Sequence, residues 1–327
     1  MIRSTVLALL GLFAFVAGCG APSLLITPVS NTNALTEQTV DEGEGMFHKK
    51  IVIIPIEGTL MNARSTNFMG NGENQVSLVA QQLKKAAEDS RIAAVVLRIN
   101  SPGGTVTSSD TLYQMVQQFK LKTHKPVIAS AQEVAASGGY YVACASDQIV
   151  AGPTSVVGSI GVIFTTFDIE GTMGKVGVRS YTIKSGPLKD MGSPFKAMTP
   201  GEREVIQGIV NDYFGRFRGI VATSRKLDAD RVTKVTDGRV FTGEQALALG
   251  LVDRTGTLED AIDLAREKAG VPTASVVLYT RPYGYGGSIY ASNQAPAPQA
   301  SGGITRLEIP GFNNEAMPSG FYYLWQP

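Results

Sequence analysis

Cysteine, histidine and tryptophan are scarce in this chain: 327 residues hold two Cys, two His and one Trp. The cysteines stand at 19 and 144, the histidines at 48 and 124. Structural zinc sites use about four Cys/His ligands, so none is expected; a disulfide framework is not expected either. Charge is also thin. Only 17% of residues are charged and the formal net charge is +1, so no global field draws the chain to nucleic acid. What remains is the composition of a globular protein, 43% hydrophobic and long enough for one large domain or two.

The N-terminus reads as an export signal. Arg3 gives a short positive region, and the apolar stretch Thr5 to Val16 has secretory length, too short for a membrane span. It ends Val16-Ala17-Gly18-Cys19, which resembles the bacterial lipoprotein box, in which the cysteine is lipidated and becomes the mature N-terminus. The competing reading is an ordinary cleaved signal with a chance cysteine. Gly20, not Asp, follows, so nothing signals inner-membrane retention. The expectation is a lipid-anchored protein of the cell envelope on the extracytoplasmic side, with the membrane itself unspecified.

Composition then divides the chain. Residues 1–19 are the signal, and 20–47, rich in polar and small residues without apolar period, read as a flexible tether. Residues 48–282 form the main folded domain; 283–327 form a Gly/Pro/Ser-rich linker and an apolar tail, Gly320-Phe321-Tyr322-Tyr323-Leu324-Trp325. Inside the domain, buried-strand runs (51–56, 93–99, 126–131) alternate with helical patterns (76–87, 109–120), predicting parallel βαβ units with right-handed crossovers. Thr199-Pro200-Gly201-Glu202 is a capping box with Pro at the first helical position. Behind it Val205, Ile206, Ile209, Val210, Tyr213, Phe217 and Ile220 are expected on one apolar face. Further helices are expected at 243–249 and 258–268, and a strand at 274–279.

Three Gly/Ser-rich stretches fall at predicted strand ends: Asn100-Ser101-Pro102-Gly103-Gly104, Ala135-Ala136-Ser137-Gly138-Gly139 and Gly158-Ser159-Ile160-Gly161. In open α/β sheets that edge is where sites form. Ser137 is placed to begin a helix, with its hydroxyl in the crevice and the Gly138 amide facing any charge developed on an attacked carbonyl. Gly103-Gly104 offers a second close backbone amide. Close helix–strand packing accounts for the same glycines, and Ala135 breaks the G-x-S-x-G elbow pattern. A nucleophilic serine needs a base. His48, His124 and a desolvated lysine within 181–190 all remain open on the residues alone.

S-P-G-G-x-V at 101–106, E-V-A-A-S-G-G-Y-Y-V-A at 133–143, G-P-T-S-V-V-G-S-I-G-V at 152–162 and S-G-P-L-K-D at 185–190 together resemble the bacterial signal peptide peptidase A family. These are serine–lysine peptidases of the ClpP/crotonase-like α/β fold, a superhelix of βαβ units. The likeness covers roughly residues 50–280 and matches the short, single-repeat form. It implies Ser137 as nucleophile, Lys189 as general base, Ser159 as the hydroxyl that orients the lysine, and the Gly104 and Gly138 amides as oxyanion hole. It also implies peptide substrates such as leftover signal peptides, a ring-like homo-oligomer whose neighbouring subunits contribute Ser and Lys to one site, and no cofactor. The family is usually held by an N-terminal transmembrane segment, where this chain offers Cys19.

Three other readings stand beside it. They are a crotonase-type acyl-CoA enzyme, a non-catalytic scaffold of the same fold, and a related serine–lysine peptidase cutting one specific apolar protein. The tail is expected to dock on its own core; the alternatives are docking on a neighbouring subunit or entry into an active site as a pseudo-substrate.

Overall fold

The computed structural model describes residues 35–43, 49–67, 70–281 and 320–325. The signal with Cys19, His48 and the linker expected at 283–303 lie outside the described residues. In chain order the first half runs β1 (Thr36–Asp41), β2 (Lys50–Glu57), β3 (Arg64–Asn67), β4 (Gly70–Asn74), α1 (Gln75–Glu88), β5 (Ile92–Ser101), β6 (Gly103–Thr105), α2 (Val106–Thr123), β7 (Val127–Ala136) and α3 (Gly138–Ala143). The second half runs β8 (Gln148–Ala151), β9 (Val156–Gly158), β10 (Ile163–Thr165), α4 (Glu170–Lys175), α5 (Pro200–Arg225), α6 (Ala229–Val235), β11 (Val240–Thr242), α7 (Gly243–Ala248), β12 (Arg254–Thr255), α8 (Leu258–Ala269), β13 (Ser275–Thr280) and β14 (Gly320–Leu324).

The main sheet has the order β1-β13-β2-β5-β7-β8-β12, with β9 beside the far end of β7 and β11 beside β9. Every pairing from β13 through β12 is parallel. Parallel strands buried on both faces read as continuous apolar runs, and β2 and β5 do so because each face meets a different helix layer. Val52, Ile54, Val95 and Leu97 turn toward the core that holds Leu83, Leu112, Val116 and Phe217. Ile51, Ile53, Ala94 and Val96 turn toward Leu258, Ala261, Ile262 and Ala265 of α8. This is the expected α/β architecture of parallel βαβ units.

Helix boundaries follow their caps. Thr199 and Glu202 form the expected reciprocal box at the head of α5, and Thr257 with Asp260 forms another at α8. Gly270 ends α8 in the left-handed region at φ 67. One residue of the expected α5 face is misplaced: Val205 is 40% exposed, whereas Ile206, Phe217 and Val221 are buried. Val205 lies about 100° from Ile206 around the axis, outside the stripe set by Ile206, Tyr213 and Phe217.

The tether expected at 20–47 requires correction. Residues 36–41 form β1, antiparallel to β13 at the sheet edge. Glu37 pairs with the buried Lys50, and Asp41 pairs with Arg266 at 2.6 Å. An edge strand with one solvated face needs no apolar run, which is why T-E-Q-T-V-D carried no hydrophobic signal. Among the described residues no helix is long and apolar enough to cross a membrane.

Tyr140 ties α3 to the segment after α7: its hydroxyl donates to the Leu251 carbonyl at 2.6 Å inside the core. Tyr140→Phe leaves that carbonyl unpaired, and the expected cost is about 1–3 kcal/mol. Urea unfolding should show a lower midpoint at unchanged slope.

Candidate active site

Ser137 and Ser159 leave the sheet side by side. β7 and β9 pair in parallel through Val134↔Val156, Ala135↔Val157 and Ala136↔Gly158, so the next residue of each strand emerges at the same level. The Ser137 N–H donates to the Gly158 carbonyl at 2.7 Å, and the Ser159 N–H donates to Arg239 O at 2.8 Å. Both serines have positive φ, 49° and 50°. That region costs a non-glycine residue on the order of 1–3 kcal/mol and is kept only where the surroundings impose it. Ser137 is the residue before α3, but its side chain does not cap the helix. Its hydroxyl is buried without a hydrogen-bond partner. The main chain thus spends strain to hold a serine hydroxyl that the fold itself does not use.

Three glycines let backbone segments pack closely beside Ser137. Gly103 has φ +104, and a Cβ there would lie 2.0 Å from the Tyr323 carbonyl oxygen and 2.6 Å from the Gly138 nitrogen. A Cβ on Gly104 would lie 2.0 Å from Leu60 O, and one on Gly138 would lie 2.3 Å from Ser109 Oγ. Only bare Cα atoms allow these chain segments to approach so closely. The Gly138 N–H is in the first turn of α3 and has no partner within the helix.

β14 lies antiparallel between β6 and β10 as the middle strand of a small sheet, with Tyr323 opposite Gly104 and Tyr322 opposite Ile163. The Trp325 N–H donates to Pro102 O at 2.8 Å. Hydrogen-bonded pairs alternate along an antiparallel ladder, so Tyr323–Gly104 is the next such pair, and the Gly104 N–H points at the Tyr323 carbonyl. Of the two amides singled out from sequence, Gly104 thus meets the Tyr323 carbonyl, and the Gly138 nitrogen and that carbonyl oxygen both crowd the bare Cα of Gly103. A cavity of about 410 Å³ opens beside Ser159, walled also by Ile160, Val162, Asn211, Asp237 and Leu324. The tail thus docks on its own chain, as expected, but at the candidate site.

Lys189 is not beside Ser137. It is exposed in the turn 185–190, on a projecting segment between β10 and α5 that also exposes Phe167, Val176, Val178, Tyr181, Ile183 and Leu188. The turn is nonetheless fixed. Asp190 accepts from Lys184 at 2.8 Å and pairs with Lys196 at 2.9 Å, and Lys196 pairs in turn with the buried Glu202 of the α5 capping box. Hydrogen bonds from Lys184 and Lys196 hold the Asp190 carboxyl down at about 2. Sequence reading missed this clamp, because charged residues scattered through a turn have no period to betray them.

The remaining candidates separate from the site. His124 caps the C-terminal end of α2, before β7, whereas Ser137 follows the other end of that strand. Ten strand residues span about 33 Å, so His124 cannot reach Ser137. Cys144 is buried, and burial pushes its thiol up to about 11, far from a reactive thiolate. Among the described residues no group of three or more His, Cys, Asp or Glu is placed to hold a metal ion.

The chain is similar to known peptidases. The profile of Peptidase family S49 matches residues 119–272, and that of Clp protease matches residues 49–155. A putative signal peptide peptidase SppA of Enterococcus faecium is 36% identical over 248 residues, 76% of this chain and 71% of the relative. A putative protease of Synechocystis is 42% identical over 196 residues, 60% of this chain and 70% of the relative. Protease 4 of Salmonella typhi is 34% identical over 219 residues, 67% of this chain but 34% of the relative.

Two measurements check the site's construction. Gly103→Ala should lower peptide hydrolysis by ~10² or more, by pushing the Gly138 amide off its position. The second is the titration of Asp190. Its folded-state value lies below its ordinary one, so its ion pairs stabilise the turn above pH ~4 and are lost as pH falls toward about 2. A carboxyl-carbon NMR titration should place its midpoint near 2; a midpoint near 4 would mean that the clamp is not formed in solution.

Proposed function

This chain belongs to the signal peptide peptidase A family of S49 peptidases and is a serine protease, and from that premise we propose that Ser137 is its nucleophile and Lys189 its general base. Ser159 orients the lysine amine, and the Gly104 and Gly138 amides receive the oxyanion. The class sets aside the acyl-CoA and scaffold readings. The observation that carries the assignment is the strained, buried Ser137, whose hydroxyl has no hydrogen-bond partner, beside the closely packed backbone of Gly103 and Gly138.

The chemistry follows from those positions. A neutral Lys189 amine takes the Ser137 proton as the hydroxyl oxygen attacks a peptide carbonyl, and the carbonyl oxygen, now charged, is held by Gly104 and Gly138. The protonated lysine then gives its proton to the leaving amine, which departs as the ester forms. A water molecule deprotonated by the same amine attacks the ester, and the proton returns to the Ser137 oxygen.

The partner of each Ser137 is the lysine of a neighbouring subunit in a ring-shaped homo-oligomer. Two observations support this. Lys189 is exposed on its own chain, on a segment that exposes more large apolar side chains than an isolated surface retains at low cost. The cavity of about 410 Å³ is lined by Ser159, which leaves the sheet beside Ser137, and offers room for an incoming amine. The substrates are leftover signal peptides or other apolar peptides, met at the membrane by a chain anchored through lipidated Cys19 on the extracytoplasmic side.

Ser137→Ala should lose roughly 10⁶-fold in turnover, by comparison with other serine proteases. Lys189→Arg should be as inactive as Lys189→Ala, because a guanidinium cannot accept the proton; an active Arg variant sinks the base assignment. Mixing the two inactive proteins, Ser137→Ala and Lys189→Ala, should restore part of the activity, since some assembled sites then pair an intact serine with an intact lysine. No recovery in a co-assembled mixture would place both residues of a site on one chain.

A further inference from the structure

The Gly104 amide is aimed from behind. A trans peptide sets its C=O and N–H on opposite sides, and the Gly103 carbonyl accepts from the Leu60 N–H at 2.8 Å. The Gly104 N–H is therefore turned away from Leu60, to the side on which the Tyr323 main chain lies. The next N–H, of Thr105, returns to the Leu60 carbonyl at 2.9 Å, so the peptide groups on both sides of Gly104 register on one residue. Leu60 is buried just beyond the end of β2. The direction of the amide thus depends on what holds residues 58–60 against 101–105.

Ser101 holds them. It is fully buried, and its hydroxyl is used twice: it donates to Gly58 O at 2.7 Å and accepts from Gly103 N–H at 3.1 Å. Gly58 turns at φ +66, a conformation open to glycine, and its own N–H donates to Asn100 O at 2.9 Å. Ser101 also supports the other candidate donor. A Cβ on Gly139 would lie 2.6 Å from the Ser101 carbonyl oxygen and 3.3 Å from its Cβ, so the first turn of α3 seats on this same residue. A shift in register fixes Ser101 in turn. Between Ile99↔Ala131 and Ser101↔Ala135 the strand β7 runs ahead of β5, and the Asn100 side chain fills the gap by accepting from Val134 N–H at 3.1 Å.

Resting on the reading of Ser137 as nucleophile and Gly104 as an oxyanion donor, we propose that Ser101 is a positioning residue for the oxyanion hole. Its hydroxyl does not touch substrate. It locks the 58–60 loop to the Ser-Pro-Gly-Gly turn, so the Gly104 amide is directed before any charge develops and needs no reorganisation when it does. In Ser101→Ala the buried Gly103 N–H loses its acceptor and the turn relaxes. The transition state is then stabilised less, while binding of the ground-state peptide is kept.

The test compares the unaltered full chain with Ser101→Ala and Gly103→Ala. Each is assayed for peptide hydrolysis and for binding of acetyl-trileucinal, whose aldehyde forms a tetrahedral adduct with a serine, against acetyl-trileucinol, whose alcohol cannot. Ser101→Ala should lower kcat ~10–100-fold with KM held within ~3-fold, and the aldehyde-to-alcohol affinity ratio should fall by the same ~10–100-fold. A serine that only supported the fold would lower the unfolding midpoint and leave that ratio alone. Should Ser101→Ala fail to assemble, Ser101→Cys takes its place, because a thiol is a weak donor and a weak acceptor. An unchanged ratio in the Ser101 variant beside a lowered one in Gly103→Ala, or a loss confined to KM, overturns the positioning role and leaves the amides assigned. An unchanged ratio in both variants overturns the Gly104 assignment, and the proposal with it. No preference for the aldehyde in the unaltered chain overturns the nucleophile assignment itself.

Discussion

The hydrogen bond from Ser137 N–H to the Gly158 carbonyl organises the site. It extends the β7–β9 pairing one residue past the last paired positions, Ala136 and Gly158, and so decides where the chain turns. With its amide committed to the sheet, Ser137 takes positive φ, and its carbonyl accepts from Tyr141 at 2.8 Å, the first bond of α3. The Gly138 amide is thereby left facing the crevice. Ser159 is set by the same pairing, since it follows Gly158 as Ser137 follows Ala136. The proposed nucleophile, one proposed oxyanion donor and the second serine all descend from one stretch of parallel ladder, and the extended apolar core that includes Ala135 and Tyr140 holds that ladder in place.

The second constraint is how closely backbones must approach around Gly103. The chain packs the Tyr323 carbonyl and the Gly138 amide against one bare Cα, and Leu60 against the next. Amide dipoles at that range act in a site from which water is largely excluded, where they are worth more than in solvent and need no reorganisation when charge develops. The glycines are required on steric grounds alone. That requirement explains why the Ser-Pro-Gly-Gly stretch, which reads as a simple turn, is part of the site.

Much of this was legible in the residues, for reasons that differ from element to element. β2 and β5 read as continuous apolar runs because both their faces are buried, α8 carries a helical period because one face is, and α5 announces itself through Thr199, Pro200 and Glu202. β1 was misread as tether because an edge strand is held by main-chain bonds and ion pairs, which leave no apolar pattern. Short strands such as β9 and β11, three residues each, are too brief for any period to appear. The close backbone packing at the Gly/Ser-rich stretches follows from their glycines, whereas the Asp190 clamp and the stacking of Tyr141 on Tyr323 were not anticipated. Both are built from residues far apart in sequence, Asp190 with Glu202 and Tyr141 with Tyr323, and no local pattern links them.

The separation of Lys189 from Ser137 then has a physical sense. A buried serine hydroxyl with no acceptor cannot give up its proton, and an exposed amine that does not reach it cannot take one. Each half of the proposed dyad is therefore harmless in an isolated chain. Bringing the clamped turn of one subunit against the crevice of another would remove water from the amine and supply the hydroxyl with its acceptor in one step. The apolar side chains exposed around the lysine, Ile183 and Leu188 among them, are the groups whose burial would drive that step. Assembly and activation would then be the same event, so the protease would act only where the subunits have gathered.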